Sequence, residues 1–151
     1  MAVIQYFAYG SNMSTERLRG RCVSARPLEV ACAEGWSFSF SKIGRDGSGK
    51  ATIAAAPDSR VFGVVYELDE NELPNLDLVE GAGQEYSRED RFSVFIGGAP
   101  REVVTYIALP SRINTSLKPS EWYLDFVITG ARQHRLPPHY IDLIEAAANP
   151  A

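Results

Sequence analysis

Leu76-Asp77-Leu78-Val79-Glu80-Gly81 places a glutamate at the end of an apolar-periodic segment, directly before a glycine suited to stopping a helix. Exposed carbonyls at a helix C-terminus disfavour negative charge, so with partial burial the Glu80 carboxyl acquires a pKa above the ordinary range. Such a carboxylate accepts a proton and later returns it, which is general acid/base work. A second feature is Tyr9-Gly10-Ser11-Asn12, where a glycine follows an apolar run. Gly10 lets backbone amides turn toward a ligand without a Cβ in the way, and amides so placed bind carboxylates or developing oxyanions. Tyr86, Tyr106 and Tyr123 fall on the strands and helix that follow the glutamate. Taken one at a time, each feature also suits a plain structural role: ordinary Gly/Ser/Asn turn chemistry, a solvated surface carboxylate, core rings with satisfied hydroxyls.

The elements that must position these residues follow from periodicity and punctuation. Val3 to Tyr9 is a β-branched and aromatic run that stops at Gly10, a buried strand entering a turn, and Ser14 then caps a short helix closing at Gly20. Trp36 to Ser41 alternates aromatic with small polar residues, the mark of a half-buried strand. Three glycines between Gly44 and Lys50 read as a loop, followed by one strand over 50–56 that ends at Pro57 and a stronger one over 61–68. Asp69 and Glu72 form a capping-box pattern ahead of the Glu80 helix; Pro74 lacks the amide an interior turn needs, so regular helix begins near it after a separate first turn. Strands at 86–96 and 102–109 join through Gly97-Gly98-Ala99-Pro100. Ser120 caps a helix carrying Trp122, Tyr123, Phe126, Val127 and Ala131. Pro137-Pro138 opens a last one whose apolar face is Tyr140, Ile141, Leu143, Ile144 and Ala147. Strands first and helices last indicate an α+β fold, a single domain over residues 1–151 with a curled sheet or small mixed β-barrel and helices packed outside.

Composition removes several classes. The 151 residues are 45% hydrophobic and 23% charged, enough for one core and no sign of disorder, and the net charge of -4 comes with scattered Lys and Arg, against nucleic-acid binding. No stretch reaches the roughly 20 apolar residues of a membrane helix, and the first residues lack a signal-peptide pattern, so no membrane partner and a cytoplasmic location are expected. Cys22 and Cys32 have no CxxC or His-rich surroundings and read as free thiols; His134 and His139 lack metal-ligand spacing and read as surface or helix-end residues. No GxSxG, HExxH, Walker or dinucleotide fingerprint occurs, so no metal or other cofactor is expected.

Tyr6 to Met13, the Phe-Gly-Val-Val core of Val61 to Tyr66, the Leu76 to Gly81 segment, Thr129-Gly130-Ala131-Arg132 and Leu136-Pro137-Pro138-His139-Tyr140 appear in an order and spacing that resembles the γ-glutamylcyclotransferase family, from about Ile4 to Ile144. The resemblance implies a small mixed barrel with flanking helices and a cavity where the first turn meets the glutamate helix. It implies Glu80 as catalytic acid/base, the segment Tyr6, Phe7, Ala8, Tyr9, Gly10, Ser11 and Asn12 as substrate cradle, and Tyr86, Tyr106 and Tyr123 as pocket tyrosines, with Tyr123 the best candidate for contacting the substrate. The implied activity is release of 5-oxoproline and a free amine or amino acid from a small-molecule γ-glutamyl substrate, without a cofactor; a homodimer stays open. The alternative from a different class is a non-catalytic module that holds a carboxylate metabolite or peptide end in the same cavity. Pro74 and the short glycine-rich loop are the departures from the family pattern.

Overall fold

β1 (Val3–Ala8) enters the sheet through its β-branched and aromatic side chains and leaves it at the Ser11–Met13 3-10 turn. The structure, a computed structural model, describes residues 2–149. After the turn come α1 (Thr15–Arg19), β2 (Arg26–Ile43), β3 (Gly49–Asp69), α2 (Leu73–Glu80), β4 (Tyr86–Ile96), β5 (Ala99–Ala108), α3 (Glu121–Gln133) and α4 (Pro138–Ala147). The five strands close in the order β1-β3-β2-β4-β5. All strand pairs are antiparallel except β1 with β5, which meet in parallel at Tyr6 and Val104, so the α+β reading with a mixed barrel holds. Phe7, Val61, Val64, Val65, Tyr66 and Leu68 belong to the core formed by the sheet and the elements packed on it, each 1% exposed or less.

Three local expectations change. The two strands read at 50–56 and 61–68 are one, β3, and Pro57 does not end it. Pairing with β2 jumps from Glu34↔Arg60 to Trp36↔Ala55, so residues 56–59 bulge opposite Gly35, which takes φ +83°. Pro57 sits in that bulge, where no ladder amide is required of it. β2 likewise begins at Arg26 rather than near Trp36, because its first half pairs with β3 using small and charged residues that carry little strand signal.

The third change concerns Glu72. Asp69 does cap, its Oδ1 accepting from the Asn71 N–H at 2.9 Å, but Glu72 does not reach back to it. Its carboxylate instead accepts from the N–H groups of Val23 and Ser24 at 3.1 and 3.0 Å, while the Asp69 N–H donates to Ser24 Oγ at 2.8 Å. Glu72 thus ties the loop before β2 to the entry of the α2 segment. The rest of that segment is as read: a separate Glu70–Glu72 turn, helix from Leu73 with Pro74 in its first turn, and Gly81 closing it at φ 65°, ψ 48°.

Gly97 and Gly98, both at positive φ, make the β4–β5 hairpin, and Ser120 caps α3 by accepting from the Tyr123 N–H. Tyr123, Val127 and Ala131 of α3 and Tyr140 and Ile144 of α4 are buried. Leu143, read on the packing face of the last helix, is instead 59% exposed, and Trp122, one of the apolar residues at helical spacing on α3, is 51% exposed; each stands one residue off the buried stripe of its helix. His134 is a helix-end residue, as read: it closes α3, and its Nε2 lies 3.0 Å from Thr15 Oγ1 and 3.1 Å from the Tyr66 hydroxyl. α3 therefore clasps the segment that follows β1.

Candidate active site

A cavity of about 440 Å³ opens where the Ser11–Met13 turn, the C-terminus of α2 and the start of β3 converge. Glu80 projects into it with 18% of its side chain exposed, and its Oε1 accepts from Asn12 Nδ2 at 3.1 Å. Asn12 has little freedom to turn: the same Nδ2 donates to the Tyr6 hydroxyl at 3.1 Å, and its Oδ1 accepts from Arg21 Nη1 at 2.8 Å. That guanidinium lies 3.9 Å from Glu80 Oε1. Burial pushes the Glu80 carboxyl above the usual carboxylate range, while Arg21 and the Asn12 hydrogen bond pull it part of the way back. The carboxylate that results is oriented and readily protonated.

Opposite it, two tyrosines hold both main-chain groups of one residue, Ala51, as a unit. Tyr123 Oη accepts from the Ala51 N–H at 3.1 Å, and Tyr86 Oη donates to the Ala51 carbonyl at 2.8 Å. Gly10 packs on this unit so closely that a Cβ there would lie 2.9 Å from Ala51 Cβ and 3.5 Å from the Tyr123 hydroxyl. The turn's Met13 and Ser14 amides bond back to the carbonyls of Gly10 and Ser11, both at 3.1 Å, whereas the amides of Gly10, Ser11 and Asn12 have no acceptor among the described residues.

A third chain of contacts supports the wall. Tyr106 Oη donates to Asp77 Oδ1 at 2.6 Å, Asp77 Oδ2 pairs with Arg88 Nη1 at 2.6 Å, and the Tyr106 ring meets Tyr6 edge-on at 6.0 Å. Tyr9 Oη donates to the Tyr106 carbonyl. Burial raises the pKa of Tyr6, Tyr9, Tyr86, Tyr106 and Tyr123, so all five hydroxyls stay protonated at neutral pH and serve as hydrogen-bonding groups.

Of the residues singled out from sequence, Glu80, Tyr6, Tyr9, Gly10, Ser11, Asn12, Tyr86, Tyr106 and Tyr123 all line this one cavity. Phe7 and Ala8 do not. Strand alternation turns Phe7 inward, where it stacks on Phe92 at 6.0 Å with no exposure; Ala8 is equally buried and stays in the ladder with Val64. Several cavity-lining side chains escaped the sequence. Arg17 and Arg21 are four residues apart, a helical spacing just after the Ser14 cap that could have drawn notice. Lys42 and Lys50 flank the glycine loop, and only the β2–β3 hairpin makes them neighbours of the site.

A closed five-strand sheet whose first strand exits into an amide-rich turn facing a helix-end glutamate defines a class of cavity-bearing α+β protein. The sequence profile of the AIG2-like family matches residues 60–144. Over 148 residues the chain is 31% identical to the gamma-glutamylcyclotransferase of Homo sapiens, covering 93% of this chain and 77% of the human protein. The Bos taurus gamma-glutamylcyclotransferase is 30% identical over 140 residues, 89% of this chain and 73% of the bovine one. A solved structure of a gamma-glutamyl cyclotransferase superposes with a TM-score of 0.88 at 28% identity, covering 96% of this chain and 88% of that one. The chain belongs to the γ-glutamylcyclotransferase family. A yeast γ-glutamyl cyclotransferase described as specific to glutathione shares the fold alone, with a TM-score of 0.73 at 13% identity over 99% of this chain and 96% of its own.

Proposed function

We infer that this protein is a γ-glutamylcyclotransferase, releasing 5-oxoproline and a free amine or amino acid from a γ-glutamyl compound. The observation that carries this reading is the Glu80 carboxyl, its pKa raised by burial, held by Asn12 in a cavity lined by Gly10, Ser11 and Asn12, whose amides have no acceptor among the described residues. At neutral pH the substrate's α-amine is mostly an ammonium and cannot attack. Glu80 takes a proton from it, and the freed nitrogen forms a bond to the γ-carbonyl carbon of the same molecule. The carbonyl π electrons move onto oxygen, where amides of the Gly10 to Asn12 turn stabilise the oxyanion. As the carbonyl re-forms, the bond to the leaving nitrogen breaks and Glu80 returns the proton to that nitrogen; the former α-nitrogen sheds its second proton in the same collapse, and that proton ends on the released amine, which departs as an ammonium. No water is consumed, and the cavity contributes by folding a flexible glutamyl chain into attack geometry.

The activity is tested by incubating the protein with γ-glutamyl amino acids, γ-glutamyl amines and glutathione and measuring 5-oxoproline by mass spectrometry. Product from at least one compound is expected; tight binding with no product would turn the reading toward the non-catalytic module. Two further outcomes follow from the site. Glu80 must be ionised in the free enzyme to accept a proton, so kcat/KM should fall on the acid side through a pKa above the ordinary carboxylate value of about 4.3. A limb at or below that value would show that Glu80 is not the titrating base. Tyr123→Phe should raise KM by roughly three- to tenfold with a smaller change in kcat, the scale of one hydrogen bond; an unchanged KM would remove Tyr123 from the substrate's partners.

Among the described residues no helix is long and apolar enough to cross a membrane. Cys22 and Cys32 are both free, which fits the reducing conditions of a cytoplasm.

A further inference from the structure

The chain as a whole is acidic, with a net charge of -4, yet the cavity is locally positive. Arg17, Arg21, Lys42, Arg45 and Lys50 line it against Asp46, Glu80 and Glu85, an excess of two positive charges. Two of the five cations are committed to partners. Lys42 Nζ lies 2.7 Å from Glu85 Oε1, and Arg21 is held by Asn12 beside Glu80.

Of the other three, Lys50 alone has a carboxylate within salt-bridge distance among the described residues, the surface residue Asp46. Among the described residues Arg17 and Arg45 have no carboxylate within 4.0 Å. Arg17 donates its Nε to Ser11 Oγ at 3.0 Å and lays its guanidinium over Phe126 and Trp122, at 4.8 and 5.6 Å from the ring centres. Lys50 Nζ stands over Trp122 and Tyr123, at 4.5 and 4.4 Å. Its one carboxylate neighbour, Asp46 at 3.8 Å, is 47% exposed and already accepts from Ser48, whereas the Lys50 side chain is only 17% exposed. Aromatic faces hold a cation in place without neutralising it. Burial pulls the Lys50 pKa below the usual lysine range; Asp46 opposes the shift, and Arg17 and Lys42 add to it. Half-exposed Trp122 and exposed Arg45 mark the cavity mouth beside these groups, and Glu80, though its side chain is as little exposed to solvent as that of Lys50, is enclosed by more protein than Lys50 or Arg17.

We propose that the mouth is a specificity subsite for an acidic leaving group, so that the preferred substrate is a γ-glutamyl derivative of an acidic amino acid, or of a peptide that begins with one, recognised by Lys50 with Arg17 and Arg45. This rests on the cyclisation reading and specifies its leaving side. Such a substrate carries three carboxylates and one ammonium, a net charge of -2 that matches the cavity's excess. A γ-glutamyl amide of a neutral amine carries none to match, and a basic leaving residue brings a cation among cations.

The test compares kcat/KM for γ-glutamyl-glutamate, γ-glutamyl-alanine and γ-glutamyl-lysine by 5-oxoproline release. The order glutamate, alanine, lysine is expected, with about tenfold between first and last, narrowing in 0.5 M NaCl as screening weakens the mouth's field. Lys50→Glu should reverse the order, and Lys50→Met should bring the ratio toward one. Each ratio is taken within a single variant whose melting curve shows it folded, so a general loss of activity leaves the comparison intact. Equal turnover of the glutamate and lysine compounds by the unsubstituted protein, or a ratio that Lys50→Glu does not move, would overturn the subsite and leave cyclisation standing. Absence of 5-oxoproline from all three compounds, and from glutathione and γ-glutamyl amines as well, would overturn both.

Discussion

Replacing Glu80 with glutamine should lower kcat by about two to four orders of magnitude while leaving substrate affinity close to its original value, the scale at which removal of a general acid/base acts. The substitution is nearly isosteric, and the glutamine oxygen can still accept from Asn12 Nδ2 as Glu80 Oε1 does at 3.1 Å. What it cannot do is carry a proton from the α-ammonium to the leaving nitrogen. The acid limb of the pH profile should disappear with it. Stability provides an independent check of the electrostatics. A group whose folded-state pKa is raised contributes stability that is fully present below its unfolded pKa and lost as pH rises through the folded value. Ionised Glu80 is therefore a small liability at neutral pH. The glutamine variant should melt no lower than the parent at pH 7, and any gain should shrink at pH 4. Full activity in Glu80→Gln would remove the glutamate from the chemistry; a collapse in melting temperature would assign it to folding instead.

The second large effect is expected at Gly130→Ala, well away from any reacting atom. In an ordinary helix this change adds about 1 kcal/mol of stability through helix propensity. Here a Cβ at Gly130 would lie 2.5 Å from the Ser14 nitrogen, 2.6 Å from the Met13 carbonyl carbon and 2.8 Å from Met13 Cβ. Two of those neighbours are backbone and cannot step aside as a flexible side chain would. The same contact is reinforced by Gln133 Oε1, which accepts from the Thr15 N–H at 3.2 Å, and by His134 against Thr15. α3 cannot back away without breaking these bonds, so the strain passes into the turn that carries Ser11 and Asn12. Overpacking of this kind costs about 1–3 kcal/mol, which exceeds the propensity gain. The melting temperature should drop by roughly 2–4 °C for each net kcal/mol in a protein of this size, and kcat should fall about tenfold as Asn12 loses its register on Glu80. A variant that melts higher than the parent with unchanged kcat would show that α3 does not set the turn.

Both predictions join residues far apart in the chain, which bears on how much of this protein could be read without coordinates. The turn at Gly10 and the helix stop at Gly81 were legible because their signals are local: a β-branched run meeting glycine, an apolar period meeting glycine. The separate first turn before Pro74 was legible for the same reason, since a missing amide acts within one helical turn. Pro57 misled because its meaning depends on what lies across the ladder, and a bulge opposite Gly35 makes it harmless. Glu72 misled because two amides of the Val23-Ser24 loop compete successfully for the carboxylate that a capping box would use.

By itself, then, the sequence determined the turn at Gly10, the helix stop at Gly81 and the caps at Ser14 and Ser120, and through the order of its motifs the family to which the chain belongs, since each of these is encoded in side chains within a few residues of one another. Tertiary structure alone decided that Asn12 meets Glu80 across 68 positions of chain, that Phe7 and Ala8 turn away from the cavity their neighbours line, and that cations scattered through an acidic chain gather at one mouth. The reason is range: propensity and hydrogen-bonding preference act along a few bonds, whereas burial, carboxyl pKa and local field depend on groups that closure of the sheet brings together.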